Sequence, residues 1–114
     1  MTQWQALAFT LAFEVPVVLC IAWFCGFRDE MIRVAGVAAA ASLLTHPIAW
    51  YLALAGLADV PFWTRAAIIE AGVIGVEAVV YAKALKTRWT LAFAMSIIAN
   101  MISFGGGIWL VRFL

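Results

Sequence analysis

Gln5–Phe27 reads QALAFTLAFEVPVVLCIAWFCGF, and in this stretch Glu14 is the sole charged side chain. A run of about 20 apolar residues matches the ~30 Å hydrocarbon core of a bilayer when wound as an α-helix. Three further runs follow: Val34–Leu57 (VAGVAAAASLLTHPIAWYLALAGL), Ala66–Ala82 (AAIIEAGVIGVEAVVYA) and Thr90–Val111 (TLAFAMSIIANMISFGGGIWLV). Strands of a transmembrane barrel would be shorter and would alternate polar with apolar residues, which these runs do not. The expected architecture is therefore an all-α integral membrane protein. It is a compact bundle of four transmembrane helices joined by short loops, spanning 5–27, 34–57, 66–82 and 90–111 within a single domain, 1–114.

Composition points the same way. Of 114 residues, 68% are apolar and 11% charged, whereas soluble domains sit nearer half apolar and a quarter charged. Disordered, coiled-coil and collagen-like chains are excluded on that ground. Seven basic residues against six acidic ones form no basic patch for nucleic acid.

The first run has no basic residue before it and carries a glutamate at its centre, so it reads as a spanning helix rather than a cleavable signal peptide. Lys and Arg are distributed unevenly. The connections after the first and third runs hold Arg28, Arg33, Lys83, Lys86 and Arg88, while the opposite side holds Arg65 and Arg112. The positive-inside rule then puts both termini outside, which in a bacterial inner membrane means periplasmic ends. Trp4, Trp63, Trp89 and Trp109 fall near segment ends, where indoles anchor at the headgroup level. Cys20 and Cys25 are five apart and point about 140° away from each other on a helix, so they read as small core residues rather than a redox or metal pair.

The informative residues are the acids. Asp29, Glu30 and Asp59 lie in connections, but Glu14, Glu70 and Glu77 lie inside the spans, and every Lys and Arg lies in a connection or at a segment end. A carboxylate at membrane depth costs about 2.5 kcal/mol or more, so three in one small bundle call for an explanation. Depth sharpens the pattern. Glu14, His46 and Asn100 fall near the middle of runs one, two and four, and Glu70 and Glu77 straddle the middle of run three. The 3.6-residue period sets Glu70, Glu77 and Tyr81 within about 20° of one line. Ser96, Asn100, Ser103 and Gly107 form a second stripe, Ser42, Thr45 and His46 share a face, and so do Thr10 and Glu14.

Four polar stripes imply a bundle with a polar interior. Ala67, Ala71, Gly75, Ala78 and Ala82 form a separate small-residue stripe, and with 105–107, a run of three glycines, they are expected to let helices approach. Pro16 and Pro47 are expected helix kinks, each freeing a carbonyl four residues earlier, at Ala12 and Leu43.

Three ionised glutamates facing at most one protonated histidine are untenable at low dielectric. Either some carboxyls are protonated at neutral pH or a cation sits among them. The expected site is therefore an ion or proton site at Glu14, His46, Glu70 and Glu77, supported by Thr45, Tyr81, Ser96, Asn100 and Ser103. No cofactor motif occurs, no particular metal is indicated, and a bound cation is the one ligand the donors suggest. The expected function is proton- or cation-coupled transport or ion conduction. An accessory subunit of a larger membrane complex is the alternative, with the same acids holding helices together or meeting a partner. An intramembrane enzyme acting on lipid ranks third, because no activated Ser or Cys and no His-Glu-x-x-His helix is present, and the chain reads as a non-enzyme. The partners that fit are the lipid bilayer and a homo-oligomer or larger membrane complex.

Overall fold

Thr2 opens the first helix with a reciprocal cap. The Gln5 backbone N–H donates to Thr2 Oγ1 at 3.1 Å, and the Thr2 N–H donates to Gln5 Oε1 at 2.9 Å. Two orphan donors of the first turn are satisfied in this way. The computed structural model describes residues 2–113, and its regular elements are helical. They are α1 (Gln3–Phe24), α2 (Met31–Tyr51), α3 (Phe62–Ala84) and α4 (Trp89–Phe113). A short 3₁₀ turn, Arg28–Glu30, leads into α2, and a π-helical turn, Leu52–Gly56, continues it.

The connections are set by backbone chemistry. At the end of α1, Gly26 takes φ +97° and the Phe27 N–H returns to the Ala22 carbonyl at 2.9 Å. At the end of α3, Lys86 takes φ 51° and the Thr87 N–H returns to the Ala82 carbonyl at 3.3 Å. Both are left-handed C-terminal stops that satisfy the last carbonyls and reverse the chain. Arg33 ties this end of the bundle together by donating to the Ala84 carbonyl and by pairing with Glu30 at 2.6 Å. At the other end Pro61, with no N–H to satisfy, precedes α3.

Helices adjacent in sequence pack together, and α1 also packs on α4, while the diagonal pairs α1–α3 and α2–α4 stand farther apart. The result is an up-down-up-down four-helix bundle measuring 44 × 26 × 18 Å. Its long dimension is close to the ~40–45 Å of a bilayer with headgroups. Three helical segments, Gln3–Phe24, Arg28–Gly56 and Trp89–Arg112, are long and apolar enough to cross a membrane. α3 has the length but is more polar, because it carries Arg65, Glu70, Glu77 and Lys83.

The sidedness is inverted relative to a water-soluble bundle. Large apolar side chains such as Ile32, Leu44, Ile48, Leu54, Ile68 and Ile97 face outward, while the interior is built on small ones: Ala22, Ala38, Ala41, Ala78, Ala82, Ala92 and Ala99. Small interior residues let backbones approach where no hydrophobic force drives helices together. The same inversion explains why Cys20 and Cys25 are exposed rather than core residues. An outer surface that is itself apolar gives a small apolar side chain no reason to turn inward. Of the small-residue stripe on α3, Ala78 and Ala82 are buried, whereas Ala67 and Ala71 face out.

The glycines of α4 are not equivalent. A Cβ on Gly106 would lie 2.7 Å from the Phe13 ring, whereas one on Gly105 would meet nothing within 4 Å. Gly106 is thus the point where α1 seats its aromatic ring on α4. Gly106→Leu should lower stability in detergent by about 1–3 kcal/mol through overpacking, while Gly105→Leu leaves it unchanged or higher. Unfolding in graded SDS of the two variants side by side checks this, and equal midpoints would contradict the packing.

Candidate functional site

The bundle is polarised along its axis. Its packed apolar core, including Val18, Ala22, Val34, Ala38, Tyr81, Leu85, Ala92 and Met95, lies in the half nearest the α1–α2 and α3–α4 turns. In the half holding both termini the helices part around a cavity of about 590 Å³. Between these halves sits a layer of buried polar side chains.

Helix geometry builds that layer. Glu14 of α1 and Glu77 of α3 are 2% and 1% exposed, which makes them as buried as any core residue here. Ser42 Oγ of α2 donates to Glu14 Oε2 at 2.6 Å. Asn100 Nδ2 of α4 donates to Glu77 Oε1 at 2.6 Å and to its own helix at the Ser96 carbonyl, 2.8 Å away. Thr45 Oγ1 lies 3.4 Å from Glu77 Oε2 and donates at 3.1 Å to the Ala41 carbonyl. Ser96 Oγ crosses to α3, donating to the Ile74 carbonyl at 2.7 Å. The carboxyl of α1 is thus served from α2, and that of α3, diagonal to it, from α4 and α2.

Tyr81 completes the layer from the sealed side. It is fully buried, and its hydroxyl has no hydrogen-bond partner among the described residues. Helical side chains lean toward the helix N-terminus, so a tyrosine one turn beyond Glu77 leans back toward the carboxyl layer. A buried hydroxyl left unpaired costs about 1–3 kcal/mol, an expense this small core accepts beside two acids.

The other expected site residues lie one layer away. Glu70, His46 and Ser103 line the cavity, together with Thr10. Glu70 Oε2 is buried without a hydrogen-bond partner among the described residues. His46 Nε2 donates to the Gln3 carbonyl at 3.2 Å, tying α2 to the start of α1 instead of joining the acids. The group set expected at one plane is therefore divided: Glu14, Thr45, Glu77, Ser96 and Asn100 come together, with Tyr81 beside them, and Glu70, His46 and Ser103 open onto the cavity. Pro16 and Pro47 lie within continuous helices on outward faces, and Ala12 and Leu43, whose carbonyls they free, are exposed as well.

Two features escaped the reading of residue types. Ser42 shares the Thr45 face in sequence, and that spacing was the available signal for its contact with Glu14. The aromatic lining of the cavity, Phe9, Trp50, Phe62, Trp63 and Phe104, gave no such signal, because aromatic residues near helix ends read equally well as interface anchors. Trp63 stands edge-on to both Phe62 and Phe104, with ring centroids 5.1 and 6.4 Å apart.

The chemistry open to the layer is proton or cation handling. Among the described residues no three His, Cys, Asp or Glu side chains converge as a metal site. Buried carboxyls with hydroxyl and amide donors beside them can each take up and release a proton or help to hold a small cation. No protein-family model matches the chain, and no curated protein or solved structure matches it.

Proposed function

We propose that this chain crosses the membrane four times and moves protons or small cations through its buried acid layer. The observation that carries the reading is the Glu14–Ser42 and Glu77–Asn100 arrangement, in which all four helices place hydrogen-bonding groups at one level with a cavity leading toward it. Helix adhesion alone is a weak account, since interhelical hydrogen bonds in membranes average about 0.6 kcal/mol and the neutral pairs of serine and asparagine would supply them. A carboxyl is worth its desolvation only where its charge state is used.

The remaining assignments follow from the same picture. α3 spans the membrane as well, its acids turned to the interior or the cavity and its outward face apolar at Ile68, Val76 and Val79. In this reading the sealed end, whose two turns carry most of the basic residues, faces the cytoplasm, and the cavity opens on the outer side of a bacterial inner membrane.

The test is pH-dependent flux in proteoliposomes for the parent chain and for Glu14→Gln and Glu77→Gln. The parent should carry current above empty liposomes, and each substitution should reduce it at least about tenfold, the effect of losing one proton-transfer group. No flux from the parent, or unchanged flux in both variants, overturns the reading.

A further inference from the structure

We propose that the cavity at the termini end binds an amphipathic organic cation. Its ammonium group would lie against Glu70 and its apolar body among Phe9, Trp50, Phe62, Trp63 and Phe104.

The argument begins with depth. Glu70 lies eight residues into α3, about 12 Å from its start at 1.5 Å per residue, so it sits toward the floor of the cavity rather than at its rim. One of its oxygens is buried without a hydrogen-bond partner among the described residues. The imidazole of His46, which also lines the cavity, is committed to the Gln3 carbonyl. Donation from Nε2 leaves that imidazole neutral, with Nδ1 an uncharged acceptor, so Glu70 is the one carboxyl among the lining side chains, and a cationic donor satisfies it best.

The walls favour the same class of ligand. Aromatic faces attract ammonium groups through their quadrupoles, most strongly where water is excluded. The volume, about 590 Å³, suits a small drug-sized molecule rather than a bare metal ion. Arg65 also lines the cavity, but three residues into α3 and over the Phe62 ring at 5.9 Å, which places its charge at the headgroup level. An anion drawn to Arg65 would still have to face Glu70 to go deeper. A cation with an apolar tail meets no such opposition.

This inference rests on the cation-handling reading of the site, but its test measures binding alone. Purified protein in a nonionic detergent is dialysed to equilibrium against labelled benzylammonium, whose N–H groups can donate to a carboxylate, or against benzylsulfonate, which has similar size and opposite charge. Saturable binding is expected for the cation and not for the anion. Glu70→Gln keeps the shape and removes the charge, and should weaken binding roughly tenfold or more. Gly107→Phe supplies a second, independent variant. A Cβ on Gly107 meets nothing within 4 Å, and the residue lines the cavity, so the ring fills the space with Glu70 intact and should abolish binding.

Equal binding of the sulfonate, or undiminished binding in both variants, overturns the proposal. Flux without ligand binding defeats this inference and leaves ion transport standing, whereas saturable binding without flux does the reverse.

Discussion

The double substitution Glu77→Met with Asn100→Leu should leave the bundle about as stable as the parent, within ~1 kcal/mol, and bring flux down to the level of empty liposomes. The single change Asn100→Leu should be the damaging one for stability. Asn100 Nδ2 is the close donor to Glu77, at 2.6 Å, and Thr45 at 3.4 Å is a poor substitute. Removing the amide strands a carboxyl that is 1% exposed, a loss of about 1–3 kcal/mol from the unmet acceptor. Removing the carboxyl as well relieves that cost. Thr45 retains the Ala41 carbonyl at 3.1 Å and Ser96 retains the Ile74 carbonyl at 2.7 Å, so no new polar group is orphaned.

The comparison separates adhesion from function. If the acids only hold helices together, the double variant behaves like the parent in every measurement, flux included. If they carry charge, stability recovers and flux does not. Unfolding in graded SDS and a pH-sensitive dye inside the liposomes supply the two readings. A double variant that still conducts removes Glu77 from the mechanism.

Particular residues show how far the sequence could be read. Four apolar runs located four helices, since no other element satisfies its backbone along so long an apolar stretch. The ends moved by a few residues, because caps such as Thr2 and the left-handed stops at Gly26 and Lys86 fix them rather than hydropathy. Periodicity also identified which side chains share a face. It placed Ser42 with Thr45, and Glu70 in line with Glu77 and Tyr81. It could not tell that Glu77 meets Asn100 while Glu70 meets a cavity. A helical period gives the direction of a side chain, whereas the distance to the facing helix depends on what fills the gap along the axis. In the sealed half alanines draw the helices together. In the other half Phe9, Trp50, Phe62 and Phe104 border the cavity instead of closing it.

That difference between the halves predicts one-sided access to the polar layer. In a background with Cys20→Ser and Cys25→Ser, the change Ser103→Cys should react readily with a membrane-impermeant maleimide added on the side of the termini, because Ser103 lines the cavity. Met95→Cys should resist from either side, since Met95 is fully buried among Val18, Val34, Ala38 and Tyr81. Reaction there needs the packed half to open. An opening that costs a few kcal/mol slows labelling on the order of a hundredfold or more. Similar rates at the two positions would mean that the halves are not distinct and that the layer is reached from both ends, as in a pore. If the protein instead carries its ion by alternating access, the protected position becomes the useful reporter. An imposed ion gradient should then raise the reactivity of the Met95→Cys variant from the opposite side and lower that of the Ser103→Cys variant, because the same four helices cannot be parted at both ends while Glu14 and Glu77 remain sealed from one side at a time.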